Sequence, residues 1–317
     1  MLLAVSFRDQ GEKYHEQGSF LTLTLSMKPP EPRGKGGLVV FPDYSYIAKD
    51  LAAVLSAYYG KLIEFQGCTE SHGSSVVSIV TDTTALNSHH FPFNDFPRKA
   101  TQVPLDLASS HPVIQALLSY EWDEYTAAIV RAATFYQQAL NFAEQQPVLS
   151  FTLFLCAIEA LIPIATFTEE ELMDEQLKCI LKKIRTHVPH PEKTVNVLKS
   201  RLFQIKRKCS LLMEMFLDAD FFENPECDDP RSTLSPETAP KAIKAAYDLR
   251  SAFLHTGKHH GVWAKTYQGQ HAEVVIGEPR IDDRNLRKLV MASPTWIGLE
   301  RMVQYTLCSV IHELLFE

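Results

Sequence analysis

The sequence has no Cys-x-x-Cys pair and no Gly-x-Ser-x-Gly turn, and each absence removes a class of protein. Its six cysteines (Cys68, Cys156, Cys179, Cys209, Cys227 and Cys308) are scattered, several of them inside apolar helical patterns. That usage fits reduced core thiols in a cytoplasmic protein rather than a disulfide framework or a zinc ribbon. The pairs His89-His90 and His259-His260 have no Cys, Asp or His partner at ligand spacing, and adjacent side chains point in different directions, so no metal site is expected. An α/β serine hydrolase lacks its nucleophile turn. Gly34, Gly36 and Gly37 lack the strand-then-helix context of a phosphate-cradling loop, so no cofactor is expected. Met1 to Phe7 is too short for a secretory core and carries no cation, so no leader is expected there. No internal repeat or low-complexity tract occurs.

What is present is ordinary in amount and uneven in place. The chain has 317 residues, 45% hydrophobic and 22% charged, enough for one large domain or two. One run, Val148 to Ala165, is apolar enough to suggest a membrane span. It contains Ser150, Thr152, Glu159 and Pro163, and a carboxylate is costly in lipid, so a buried central helix is expected and no membrane partner. The net charge is −7. From Lys178 to Lys208, ten Lys/Arg face one acidic residue, Glu192, an excess of nine positive charges that leaves the rest of the chain at −16. Such asymmetry points to a local anion-binding face more than the total does. Two readings of it stand side by side: the solvated faces of two helices, or an RNA track through Lys182, Lys183, Arg185, Lys206, Arg207 and Lys208.

Hydrophobic periodicity predicts a mostly α protein, with an α+β region over residues 1–110 and a helical domain over 111–317. In the first region, Phe20 to Ser26, Leu62 to Phe65 and Val76 to Val80 read as strands, and Asp43 to Tyr59 as a helix stopped by Gly60. Residues 81–112 read as a linker. Helices are then expected over Val113–Phe142, Val148–Leu161, Glu170–Val188, Thr194–Leu217 and from Pro236 to Thr256, with a last one from Ser293 to the end. Residues 218–236 read as a solvated acidic loop, and Glu273 to Ile276 as a short strand.

The helix ending at Thr256 breaks its own pattern. Ile243, Ala246, Tyr247, Phe253 and Leu254 form one apolar stripe, and Arg250 falls in its middle. A buried cation needs a carboxylate, a wet cleft or an anionic ligand, and Glu159 is the obvious internal partner. His255 follows in the last turn, where the helix dipole favours a cation, and Gly257 suits the residue that ends a helix.

Two stretches together resemble a known family. Phe151-Thr152-Leu153-Phe154-Leu155-Cys156-Ala157-Ile158-Glu159-Ala160-Leu161 and Leu249-Arg250-Ser251…Leu254-His255-Thr256-Gly257 are similar to HEPN-domain proteins, in particular the ApeA-like branch. The resemblance covers roughly residues 113–317, with a fainter match at Tyr59-Gly60-Lys61 and Phe65-Gln66-Gly67. It implies a C-terminal HEPN-like helical bundle, a homodimer with two Arg-x4–6-His motifs facing each other, and metal-independent RNA cleavage, often in defence or toxin systems. Arg250 would stabilise the phosphorane and His255 would move a proton, with Ser251 and Glu159 in support. Many active members carry Asn, Asp or His after the arginine, whereas Ser251 can only hydrogen-bond. Positions five apart on a helix stand about 140° apart, so either the helix unwinds before Gly257 or two chains assemble the pair. The competing expectation is a non-catalytic HEPN module for nucleotide or protein binding and dimerisation.

Overall fold

The structure is a computed structural model that describes residues 5–9, 21–25, 45–65, 70–71, 74–75, 105–119, 123–173, 175–201, 204–258 and 271–316. The described residues are mostly helical, and the chain divides into two compact units, Met1–Asn141 with Leu307–Glu317, and Phe142–Thr306. The strand expected at 76–80, most of the linker at 81–112 and both histidine pairs lie outside the described residues.

In the first unit β1 (Val5–Asp9) pairs antiparallel with β2 (Leu21–Leu25), Phe7 opposite Leu23. A second hairpin joins β3 (Glu70–Ser71) to β4 (Ser74–Ser75). Helix α1 (Ser45–Tyr59) ends at Gly60, whose φ of 61° only glycine adopts freely, and the Lys61 N–H closes back on the Ser56 carbonyl at 3.2 Å. The strand expected over Leu62–Phe65 does not form. Side chains take both backbone groups of Ile63: its N–H donates to the Ser56 hydroxyl at 3.0 Å and its carbonyl accepts from the Gln137 side-chain amide, so a sheet neighbour is not needed.

The long helix expected over 113–142 is two, α2 (His111–Ser119) and α3 (Glu124–Phe142). Asp123 starts the second by accepting the Thr126 N–H at 2.8 Å, an N-cap that competes with a continuous helix. On α3 the residues Ala128, Ile129, Ala132, Ala133, Tyr136, Ala139 and Leu140 are fully buried.

The second unit is built on α4 (Pro147–Leu161), with Pro147 at its first turn. The stretch Pro147–Ile164 is long and apolar enough, at mean hydropathy 2.0, to cross a membrane. Here Phe151, Phe154, Leu155, Ile158 and Leu161 are buried within the unit, as expected of a core helix. The Trp296 indole N–H donates to Ser150 Oγ at 2.7 Å, and the ring packs edge-on against Phe154.

Two more expected helices are interrupted. Residues 170–188 divide into a single turn, Glu169–Leu172, begun by a capping box of Thr168 and Glu171, and α5 (Glu175–His187), because Met173 is extended. Residues 194–217 divide into α6 (Pro191–Arg201) and α7 (Ile205–Phe216), with Gln204 in the left-handed region at φ 46°. The loop expected at 218–236 is not a solvated one. Asp218 and Asp229 cap short helical turns at Ala219–Glu223 and Pro230–Ser232, while Phe221, Cys227 and Leu234 are buried. Helix α8 (Ala239–Thr256) carries the arginine–histidine motif. Glu273–Ile276 makes a single bridge, Val274 to Pro294, rather than a strand. Helix α9 (Arg284–Ala292), absent from the expectations, is capped by Asp283 and followed by α10 (Trp296–Phe316).

Candidate functional site

Arg250 sits on the inward-turned side of α8, and α4 supplies its counter-charge. Nη2 donates to Glu159 Oε2 at 2.7 Å, with the two side chains only 16% and 22% exposed. Tyr247 lies one turn before Arg250 on the same face. Its hydroxyl donates to Glu159 Oε1 at 3.0 Å and accepts from Arg250 Nη1 at 3.2 Å. The Cys156 thiol accepts a longer contact from Nη2 at 3.8 Å. Three side chains therefore close a ring of hydrogen bonds, and the guanidinium carbon stands 5.2 Å from the centre of the Tyr247 ring. The Arg250 Nε–H is buried and has no hydrogen-bond partner.

The electrostatics follow from this packing. Burial is the largest single influence on the guanidinium and lowers its pKa, but Glu159, Cys156 and Tyr247 together outweigh it and hold the group above its ordinary value. Burial, and then the charge of Glu159, pushes the Tyr247 phenol up to about 12, so it stays a neutral proton donor. The same two causes push the Cys209 thiol up to about 12, and burial raises Cys156. These thiols are poor nucleophiles near neutral pH.

His255 stands apart from this ring. It is exposed, as are Leu254 and Thr256, and among the described residues no hydrogen bond or ion pair engages its imidazole. Helix α8 runs intact through Thr256 and ends at Gly257 (φ 67°), whose N–H donates to the Phe253 carbonyl at 3.0 Å. Unwinding before Gly257 therefore does not bring the imidazole round to Arg250. Ser251 is half-buried between the two directions.

The basic run divides in the same way. Lys182, Lys183 and Arg185 are exposed on α5, Arg185 donating to Glu192 at 3.1 Å. On α7, Lys206 pairs with Asp248 of α8 at 2.6 Å, Arg207 donates to the Glu171 carbonyl at 3.0 Å, and Lys208 is half-buried. The α7 cations thus help to hold the unit together, and the α5 cations face water. Among the described residues no group of three or more His, Cys, Asp or Glu side chains is arranged to hold a metal.

Sequence reasoning missed Tyr247 as a polar member of the site, having assigned it to the apolar stripe. Its signal was its place one turn before a cation that had to be satisfied. No protein-family model matches the chain, and no curated protein or solved structure matches it.

Proposed function

We propose that this chain is a HEPN-type endoribonuclease that cleaves RNA without a metal ion, works as a cytoplasmic homodimer and uses Arg250 and His255 as its reactive pair. The observation behind this reading is a guanidinium held near solvent by a carboxylate and a hydroxyl, followed five residues later on one helix by an imidazole open to water. In such a reaction the ribose 2′-oxygen attacks the neighbouring phosphorus while its proton passes to a base. The bond to the 5′-oxygen breaks, that oxygen gains a proton, and 2′,3′-cyclic phosphate and 5′-hydroxyl ends result. An imidazole can carry either proton, and a guanidinium stabilises the charge that builds on the phosphorane. Since α8 is intact, Arg250 of one copy would work with His255 of a second. Lys182, Lys183 and Arg185 would hold phosphates beside the cut.

A second reading, a non-catalytic HEPN module that binds a nucleotide or protein and dimerises, draws on a different observation: both Nη groups of Arg250 already have partners inside the unit. One experiment separates the two. The pure protein and an Arg250→Ala/His255→Ala double mutant are incubated with a mixed RNA pool in EDTA. Cleavage by the wild type alone, leaving cyclic phosphate ends, supports the nuclease. No cleavage at any ionic strength rejects it in favour of the binding module.

A further inference from the structure

Arginine is the side chain best able to satisfy itself, with five N–H groups on a flexible stem. Arg250 nevertheless leaves its Nε–H buried and unbonded while both terminal nitrogens are engaged. A buried unsatisfied donor calls for an explanation. The guanidinium has the orientation that Glu159 and Tyr247 require, and not the one that would serve its own hydrogen bonds best.

Of those two partners, Glu159 supplies the charge and Tyr247 the direction. A carboxylate alone can accept a guanidinium side-on, end-on or through one nitrogen, so a single ion pair leaves several orientations open. The Tyr247 hydroxyl removes that freedom. It has one proton, which goes to Glu159 Oε1, and an ionised carboxylate has none to give back. Its lone pair is thus free to accept from Arg250, and it does so from Nη1 while Nη2 binds the other carboxylate oxygen. Both oxygens of Glu159 and both terminal nitrogens of Arg250 are fixed by the one ring.

We infer that Tyr247 is a positioning residue, fixing the guanidinium of Arg250 in a single orientation through its hydroxyl rather than through the bulk of its ring. As a statement about catalysis this rests on the ribonuclease reading above, and as a statement about the guanidinium it stands by itself. The phenol, raised to about 12, keeps its proton throughout the neutral range, so the lock does not open with ordinary changes of pH.

The test uses the full chain with nitrogen-15 in its arginines. The Arg250 signals are assigned by their loss in Arg250→Lys. Hindered rotation should give the wild type separate Nη resonances for this residue. Tyr247→Phe keeps the ring and its packing, and should merge those resonances while the melting curve stays cooperative. In an RNA-cleavage assay the same variant should lose about tenfold or more in kcat with KM unchanged, the signature of a misaligned group and not of weaker substrate binding. If Arg250 stays equally hindered in Tyr247→Phe, the inference is overturned whatever the activity. If the signals merge as expected but the wild type cleaves no RNA, the ribonuclease reading falls and the orienting role of Tyr247 stands.

Discussion

Glu273 and Arg301 form an ion pair shut off from water: Nη1 lies 2.8 Å from Oε1, with the side chains 0% and 7% exposed. Every strong acceptor in it is used. The Glu273 carboxylate also takes the Glu226 and Leu234 N–H groups, each at 2.9 Å. Arg301 Nη2 donates to the Phe221 and Asn224 carbonyls, and the guanidinium lies 3.8 Å over the Phe221 ring. One pair thereby joins α10 to the segments around residues 221–234 and 273.

Removing one member leaves the other charged and buried, so Arg301→Met should destabilise the protein by about 3–5 kcal/mol. The double change Glu273→Gln/Arg301→Met should destabilise it less, because no uncompensated charge remains. Urea titration of the two variants measures both quantities. A double mutant no better than the single one would mean that the pair's value lies in its hydrogen bonds to backbone, not in its charges.

Helix α10 reaches this clasp across Gly298. A Cβ there would run into the backbone carbonyl of Glu273, which cannot swing away because its oxygen accepts the Thr295 N–H at 3.0 Å. Gly298→Ala, normally favourable in a helix, should therefore destabilise by about 1–3 kcal/mol, the range for overpacking. Thermal unfolding reads the effect directly, and a raised melting temperature would show that the segment yields.

Much of this fold was legible in the sequence. The starts and ends of α1, α4 and α8 follow from apolar spacing with Gly60, Pro147 and Gly257 as punctuation. The helix errors have local causes: Asp123 caps a new helix inside a pattern that looks continuous, Met173 turns extended after the single turn that Thr168 caps, and Asp283 starts a helix where no periodicity announced one. Gln204, left-handed with no glycine to announce it, could not be read at all. At the candidate site the pairing of Arg250 with Glu159 was readable, since a cation in an apolar stripe needs an acid and the central helix offers one. Tyr247 was not, because an aromatic at core spacing looks the same with its hydroxyl bonded or idle. Glu273 and Arg301 stayed hidden because neither interrupts a pattern.

The titrating groups around Arg250 give the second unit an alkaline limit. Cys209 rises from 9.0 to about 12 and Tyr247 from 10.0 to about 12, with Cys156 raised as well. Each holds its proton in the folded state at a pH where the unfolded chain has released it. The folded state then binds more protons, so stability falls as pH rises. The contribution is complete below about pH 9 and is lost towards pH 12. Urea titrations on the two sides of this window should show the decline, and Cys209→Ala should reduce its slope. A flat profile would mean that these groups are solvated at little cost. Alkylation should follow the same order, exposed Cys179 reacting well before buried Cys209.

The two halves of the basic run should respond differently to mutation, and salt is the variable that separates them. Lys182, Lys183 and Arg185 face water, Arg185 in an exposed pair with Glu192 that a phosphate can displace, whereas Lys206 is paired with Asp248 across to α8 and Arg207 is bonded to the Glu171 carbonyl. Each cation that neutralises a phosphate of single-stranded RNA adds about 0.7 to the slope of log affinity against log salt. Replacing Lys182, Lys183 and Arg185 together with alanine should then flatten that slope by about 2 while leaving the melting temperature unchanged. Lys206→Ala should do the reverse, weakening the packing of α7 on α8 and moving the slope little. Fluorescence anisotropy with a labelled oligonucleotide over a salt series distinguishes the variants. If the triple variant keeps the wild-type slope, the α5 cations are only a solvated helix face, and any RNA contact lies elsewhere on the chain.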